Sequence, residues 1–170
     1  MLVIGAVVGG GAAWWFRDGP VLNAGAFHAG TATQPGEWAH VFVPLYTASG
    51  EVKLDTVRVI DVSGGPEIQF SVVLPKPSVA GNLSTLTGGT LVSLGFSPKP
   101  VDGAAVRART PHGPQLYLVL SMRGSKSGVI GLQSIEVKYK SLRHTRVLRA
   151  SVTVCDSVAA EAITDDTTCS

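Results

Sequence analysis

The chain has 170 residues, 45% of them apolar and only 15% charged, with a formal net charge of +2. Hydrophobicity this high with so little net charge excludes an intrinsically disordered chain. The lack of a Gly-X-Y period and of Ala/Glu/Lys/Leu heptads excludes collagen and coiled coils. Glycine and proline together supply 30 residues, so the chain reads as one globular unit of short elements and many turns.

Residues Met1 to Phe16 (MLVIGAVVGGGAAWWF) carry no charge; the first charged side chains are Arg17 and Asp18, directly after Trp14, Trp15 and Phe16. An apolar run closed by tryptophans matches a membrane span ending at the interfacial belt. As a helix it covers about 24 Å, short of a hydrocarbon core of about 30 Å, and no basic residue precedes it. Both features are explained if residues 1–18 are the C-terminal part of a signal anchor that starts upstream of Met1. The expectation is a single-pass helix in the cell membrane, with the rest of the chain extracytoplasmic. Two other readings stay open: a signal peptide cleaved near Ala24-Gly25-Ala26, and a buried element of the globular domain. Gly5 and Gly9 form a GxxxG step, a weak signal for helix pairing, so oligomeric state stays open.

Residues 19–37 (GPVLNAGAFHAGTATQPGE) are small and turn-rich and are expected to form a flexible tether. From Trp38 onward the sequence changes to short runs rich in valine, isoleucine, leucine and tyrosine. Strands are expected at about 38–46, 51–62, 67–74, 90–96, 115–122, 129–140 and 143–155. The last two alternate with period 2. Ile135, Val137 and Tyr139 oppose Glu136, Lys138 and Lys140; Leu148, Ala150, Val152 and Val154 oppose Val147, Arg149, Ser151 and Thr153. That pattern belongs to a sheet with one face in water. The prolines between Pro75 and Pro114 indicate edge strands and loops. About seven strands without intervening helices predict an all-β, antiparallel immunoglobulin-like sandwich over 38–170, preceded by the apolar helix.

The layout is similar to that of a loose group of uncharacterised bacterial envelope proteins with an N-terminal anchor, a small-residue tether and an Ig-like domain. The residues that carry the resemblance are 1–18, the strand pair Val52 to Val62 and Ile68 to Leu74, and the run Ile135 to Tyr139 leading to Val154-Cys155. It implies an extracytoplasmic domain and brings no catalytic residues with it.

The chain has two cysteines, Cys155 and Cys169. Outside the cytoplasm they are expected to form a disulfide, closing a loop that stabilises by about 3 kcal/mol on the chain-entropy estimate. It would tie down the acidic tail of Asp156, Glu161, Asp165 and Asp166.

Catalytic and ligand-binding patterns are missing. The four histidines share no metal-ligand spacing with one another or with the cysteines. No G-x-S-x-G elbow, S-x-x-K or nucleotide-binding glycine loop occurs. Neither cofactor nor metal is therefore expected, and the chain reads as a non-enzyme.

The charge is uneven. Between Arg123 and Arg149 lie seven basic residues against the single acid Glu136, and residues 1–122 balance at seven of each sign. Lys138, Lys140, Arg143 and Arg149 are the candidate patch for an anionic surface: envelope polymer, lipid headgroups or an acidic protein. Nucleic acid is not expected, because stacking aromatics are scarce there and the compartment is wrong. The function read from the sequence is a non-enzymatic, membrane-anchored protein presenting a β-sandwich for interaction. Two alternatives are a small subunit of an envelope assembly and a carbohydrate-binding or hydrolytic module with its site in the 75–114 loops.

Overall fold

The computed structural model describes residues 19–25, 27–75, 83–109, 114–126 and 128–158, without the side chains of 155–158. Among them every regular element is a strand, and no helix is long and apolar enough to cross a membrane. The anchor helix expected over 1–18 lies outside the described residues.

Ten strands form two five-stranded sheets. They are β1 (Leu22–Ala24), β2 (Phe27–Thr33), β3 (Trp38–Thr47), β4 (Glu51–Ser63), β5 (Glu67–Val73), β6 (Thr85–Gly88), β7 (Ala105–Arg107), β8 (Leu116–Arg123), β9 (Gly128–Ser141) and β10 (His144–Val158). Sheet A runs β1-β3-β8-β5, with β6 paired to β3 beyond the end of β1; sheet B runs β2-β10-β9-β4-β7. Between the sheets lies the main core. Val41, Val43, Leu45, Leu118, Leu120 and Met122 of sheet A meet Leu54, Leu132, Ile135, Val137, Tyr139, Val152 and Val154 of sheet B. Apolar side chains at alternate positions supply that face on both sheets.

Sheet A is also covered on its outer side. Phe42, Val73, Tyr117 and Val119 point away from the main core and pack with Leu83, Leu86, Leu91 and Phe96 in a second, smaller cluster. Phe42 and Phe96 lie 5.2 Å apart between ring centroids. With both faces filled, β3 and β8 are buried almost continuously, as in any strand that has no wet side.

The structure corrects three expectations. Residues 19–37 are not a tether: β1 pairs at one edge of sheet A and β2 at one edge of sheet B. β2 runs alongside β10 in the same direction, from Val152↔Phe27 to Val158↔Thr33. That makes one parallel pair in a sandwich expected to be wholly antiparallel. Finally, 90–96 is a turn and not a strand. Leu94 N–H donates to Thr90 O (3.1 Å) and Phe96 N–H to Leu91 O (2.9 Å), while the Ser93 hydroxyl donates to Thr90 O (2.7 Å). Such local bonds compete with ladder pairing.

The sandwich has two distinct ends. The entry end gathers Gly19-Pro20, the β3–β4 turn at Gly50 and the β9–β10 turn at Leu142-Arg143. The exit end gathers the β4–β5 turn at Gly64-Gly65, Arg123 and Val158, from which the acidic tail continues.

Candidate interaction surface

Among the described residues, no segment covers the outer face of sheet B. Strand register sets three rows across it. Lys53 of β4 faces Lys140 of β9, which faces Thr145 of β10; Thr56 faces Lys138, which faces Val147; Arg58 faces Glu136, which faces Arg149. Lys53, Lys138 and Lys140 are exposed, and no ion pair joins them among the described residues. Placing Lys53 directly opposite Lys140 is unfavourable, since like charges across a ladder destabilise it.

The third row pairs its charges internally and keeps one net positive charge. Glu136 accepts from Arg58 Nη2 at 2.7 Å and from Arg149 Nε at 3.2 Å, and its side chain is only 11% exposed against 70% and 75% for the arginines. The two guanidinium groups shield the carboxylate from water even though it sits on the outer face. Arg149 is thus occupied by Glu136. Of the four patch residues read from the sequence, Lys138, Lys140 and Arg149 share this face, and Arg143 stands at the hairpin tip. Sequence reasoning missed Lys53 and Arg58. Nothing in β4 alone signals them; only the β4–β9 register brings them beside Lys140 and Glu136.

At the tip, Ser141 is buried and its hydroxyl donates to the Pro20 carbonyl at 2.6 Å. Leu142 follows with φ 53° and 67% exposure. A left-handed backbone suits glycine or asparagine and strains a leucine.

At the exit end, Trp38, Arg123 and Glu67 form a second polar group. The Arg123 guanidinium lies 4.7 Å from the Trp38 ring centre and pairs with Glu67, with Nε donating at 3.1 Å. The Arg123 hydrogen bond holds the Glu67 carboxyl below its ordinary range. A depression of about 450 Å³ beside it is lined by Pro35, Gly36, Gly65, Glu67, Arg123 and Ser125. One row further in, buried His40 contacts Ser121 Oγ through Nδ1 (2.8 Å) and Gly89 O through Nε2 (2.8 Å). A carbonyl only accepts, so Nε2 carries the proton and Nδ1 accepts from the Ser121 hydroxyl. Burial lowers the His40 pKa, opposed by the bond to Gly89. Both ring nitrogens are engaged in holding β3, β8 and the β6–β7 connection together.

Among the described residues no group of three histidine, cysteine or acidic side chains is placed to hold a metal. The expected disulfide falls on Cys169 and on the Cys155 side chain, both outside the described residues. The Cys155 backbone sits in β10 between Gly30 of β2 and Gly131 of β9.

Comparison with known proteins finds no matching family and no match among curated proteins. Among solved structures, the chain is similar to the ASH/PapD-like domain 7 of human CEP192, with TM-score 0.46 and 12% identity over 83% of this chain and 87% of that one. It is also similar to a family 123 glycoside hydrolase from Clostridium perfringens, with TM-score 0.44 and 13% identity over 82% of this chain and 27% of that one. Neither likeness carries a function across.

Proposed function

We propose that this protein is a non-enzymatic, membrane-anchored extracytoplasmic protein whose sandwich presents the outer face of sheet B to an acidic envelope polymer or to the acidic surface of a protein partner. The observation that carries the reading is the asymmetry of the two outer faces. Sheet A is covered by its own chain, whereas among the described residues sheet B is left open with Lys53, Lys138 and Lys140 side by side. Adjacent cations raise the local potential and draw opposite charge. They cost stability in the free protein, and an acidic partner relieves that cost. The uncharged segment 1–16 and the two cysteines support an oxidising compartment outside the membrane.

The hydrolytic alternative has weaker support. Residues 75–114 contain one carboxylate, Asp102, where glycoside hydrolysis uses two. Of the four rings available for sugar stacking, Tyr117 and Tyr139 are buried, the Trp38 face is taken by Arg123, and Tyr46 is half-buried.

The test is photocrosslinking in intact cells from a probe at Val147, in the Lys138 row, with a second probe at Val92 on the covering segment of sheet A. Capture from 147 alone, lost in the triple variant Lys53→Glu/Lys138→Glu/Lys140→Glu, is the expected result. Equal capture from both positions, or capture that survives the reversals, overturns the reading. A complex of fixed stoichiometry at 147 would identify the chain as a small subunit of an envelope assembly.

A further inference from the structure

We infer that the β9–β10 hairpin tip docks on the anionic lipid headgroups of the membrane, with Leu142 entering the interface and Lys140 and Arg143 holding lipid phosphates. The inference rests on the anchored reading above, and three observations lead to it.

The first is reach. The described chain begins at Gly19, three residues after Phe16. Three residues extend to at most about 10 Å, and the headgroup layer on each side of a bilayer is about 5–8 Å thick. If residues 1–16 lie in hydrocarbon, whatever packs against Gly19 stands at the membrane surface. The hairpin tip packs there. A Cβ on Gly19 would stand 2.6 Å from Ser141 Oγ and 3.0 Å from Leu142 Cδ1, and Ser141 bonds Pro20 O. The hairpin is clasped to the point where the apolar segment joins the fold.

The second is Leu142 itself. Its backbone is left-handed, a strained conformation for leucine, and its side chain is 67% exposed, with Cδ1 near Gly19. Strain at an exposed residue points to function. An exposed leucine beside basic residues is the combination that binds a lipid interface.

The third is charge. Exposed Lys53, Arg107, Arg109, Lys140 and Arg143 all lie toward the entry end, where Glu51 is already paired with Arg107 at 2.9 Å. β10 ends at Val158, at the other end of the sandwich. Each basic residue close to an anionic leaflet strengthens attachment about fivefold.

The experiment uses the full chain in vesicles, with a benzophenone amino acid placed at Leu142 or, as a control, at Val129. Val129 lies near the opposite end of β9, about 40 Å away along the strand, and is itself exposed. In phosphatidylglycerol/phosphatidylcholine vesicles the probe at 142 should form lipid adducts several-fold more often than the probe at 129. The excess should fall at least by half in pure phosphatidylcholine and in the Lys140→Glu/Arg143→Glu variant. Leu142→Asn keeps the left-handed turn. In quenching by lipids brominated near the headgroup, a fluorophore at position 143 should become less quenched when this change is made. Equal adduct yields at 142 and 129 overturn the inference. Alkaline carbonate extraction of the same samples tests the anchor separately. A chain that stays in the pellet without excess adducts at 142 refutes the docked tip and keeps the anchor. A chain that washes out yet gives excess adducts at 142 does the reverse.

Discussion

The two outer faces of the sandwich show how one chain treats similar surfaces in opposite ways. On sheet A the outer residues Phe42, Tyr117 and Val119 are apolar, and the segment after β6 folds over them with Leu91 and Phe96. On sheet B the outer rows are lysines, arginines and threonines with Glu136 and Val147 among them, and no part of the described chain covers them. The lesson is that residue chemistry on the second face of a strand decides whether a sheet becomes a buried layer or a surface for partners. A continuous apolar run requires cover, and an alternating one leaves its polar side in water.

Emptying the covered face has the largest expected effect. Phe42→Ala should cost about 3–5 kcal/mol, whereas Val147→Ala, at a site 50% exposed, should stay within about 0.5 kcal/mol. Equal shifts in the urea midpoint would mean that the cover over sheet A contributes nothing. The entry end supplies a change in the opposite direction. Leu142→Asn should raise stability by about 1 kcal/mol through relief of the left-handed leucine, read as a higher midpoint at unchanged slope.

Within the open face, Glu136→Gln removes the anion between Arg58 and Arg149. Because both arginines are exposed, the loss should be no more than about 1 kcal/mol and should shrink in high salt. Lys53→Glu should do the reverse, raising stability by about 0.2–1 kcal/mol by placing opposite charges across the β4–β9 ladder, while weakening capture of an acidic partner. A drop in stability would show that Lys53 serves the fold.

The smallest expected effect is pH-dependent and belongs to the covered side. His40 has a folded pKa below its ordinary 6.5, so the unfolded chain binds the extra proton first. Its contribution to stability is complete above that ordinary value and is lost as pH falls through the folded pKa. Between pH 7.5 and pH 5 the urea midpoint should fall more in the native chain than in His40→Gln, and equal falls would remove His40 as the cause.

Much of the sheet B hairpin was legible in the sequence. Ile135, Val137, Tyr139, Ala150, Val152 and Val154 are buried where the alternation put them, because a period of two is a local property of the strand. The segment 19–37 was not legible. Alanine and threonine at Ala29, Thr31 and Thr33 give a faint period-2 pattern, and what buries it is the neighbouring edge of β10, more than a hundred residues away in the chain. The stretch 90–96 failed for the opposite reason. Leu91 and Phe96 signal burial, yet Thr90 and Ser93 bond locally and the cover forms as a turn. For the surface, the sequence pointed to Lys138, Lys140 and Arg149, while Lys53 was invisible because its neighbour lies on another strand.

The all-β character, the inward faces of β9 and β10 and the uneven distribution of charge all follow from spacing along a few residues. Packing in space is what puts β1 in one sheet and β2 in the other, covers sheet A while leaving sheet B open among the described residues, and sets Gly19 against Leu142. The physical reason is that cross-strand register and sheet packing join residues by distance in space, and a strand's own alternation says which face is apolar but not which neighbour will meet it.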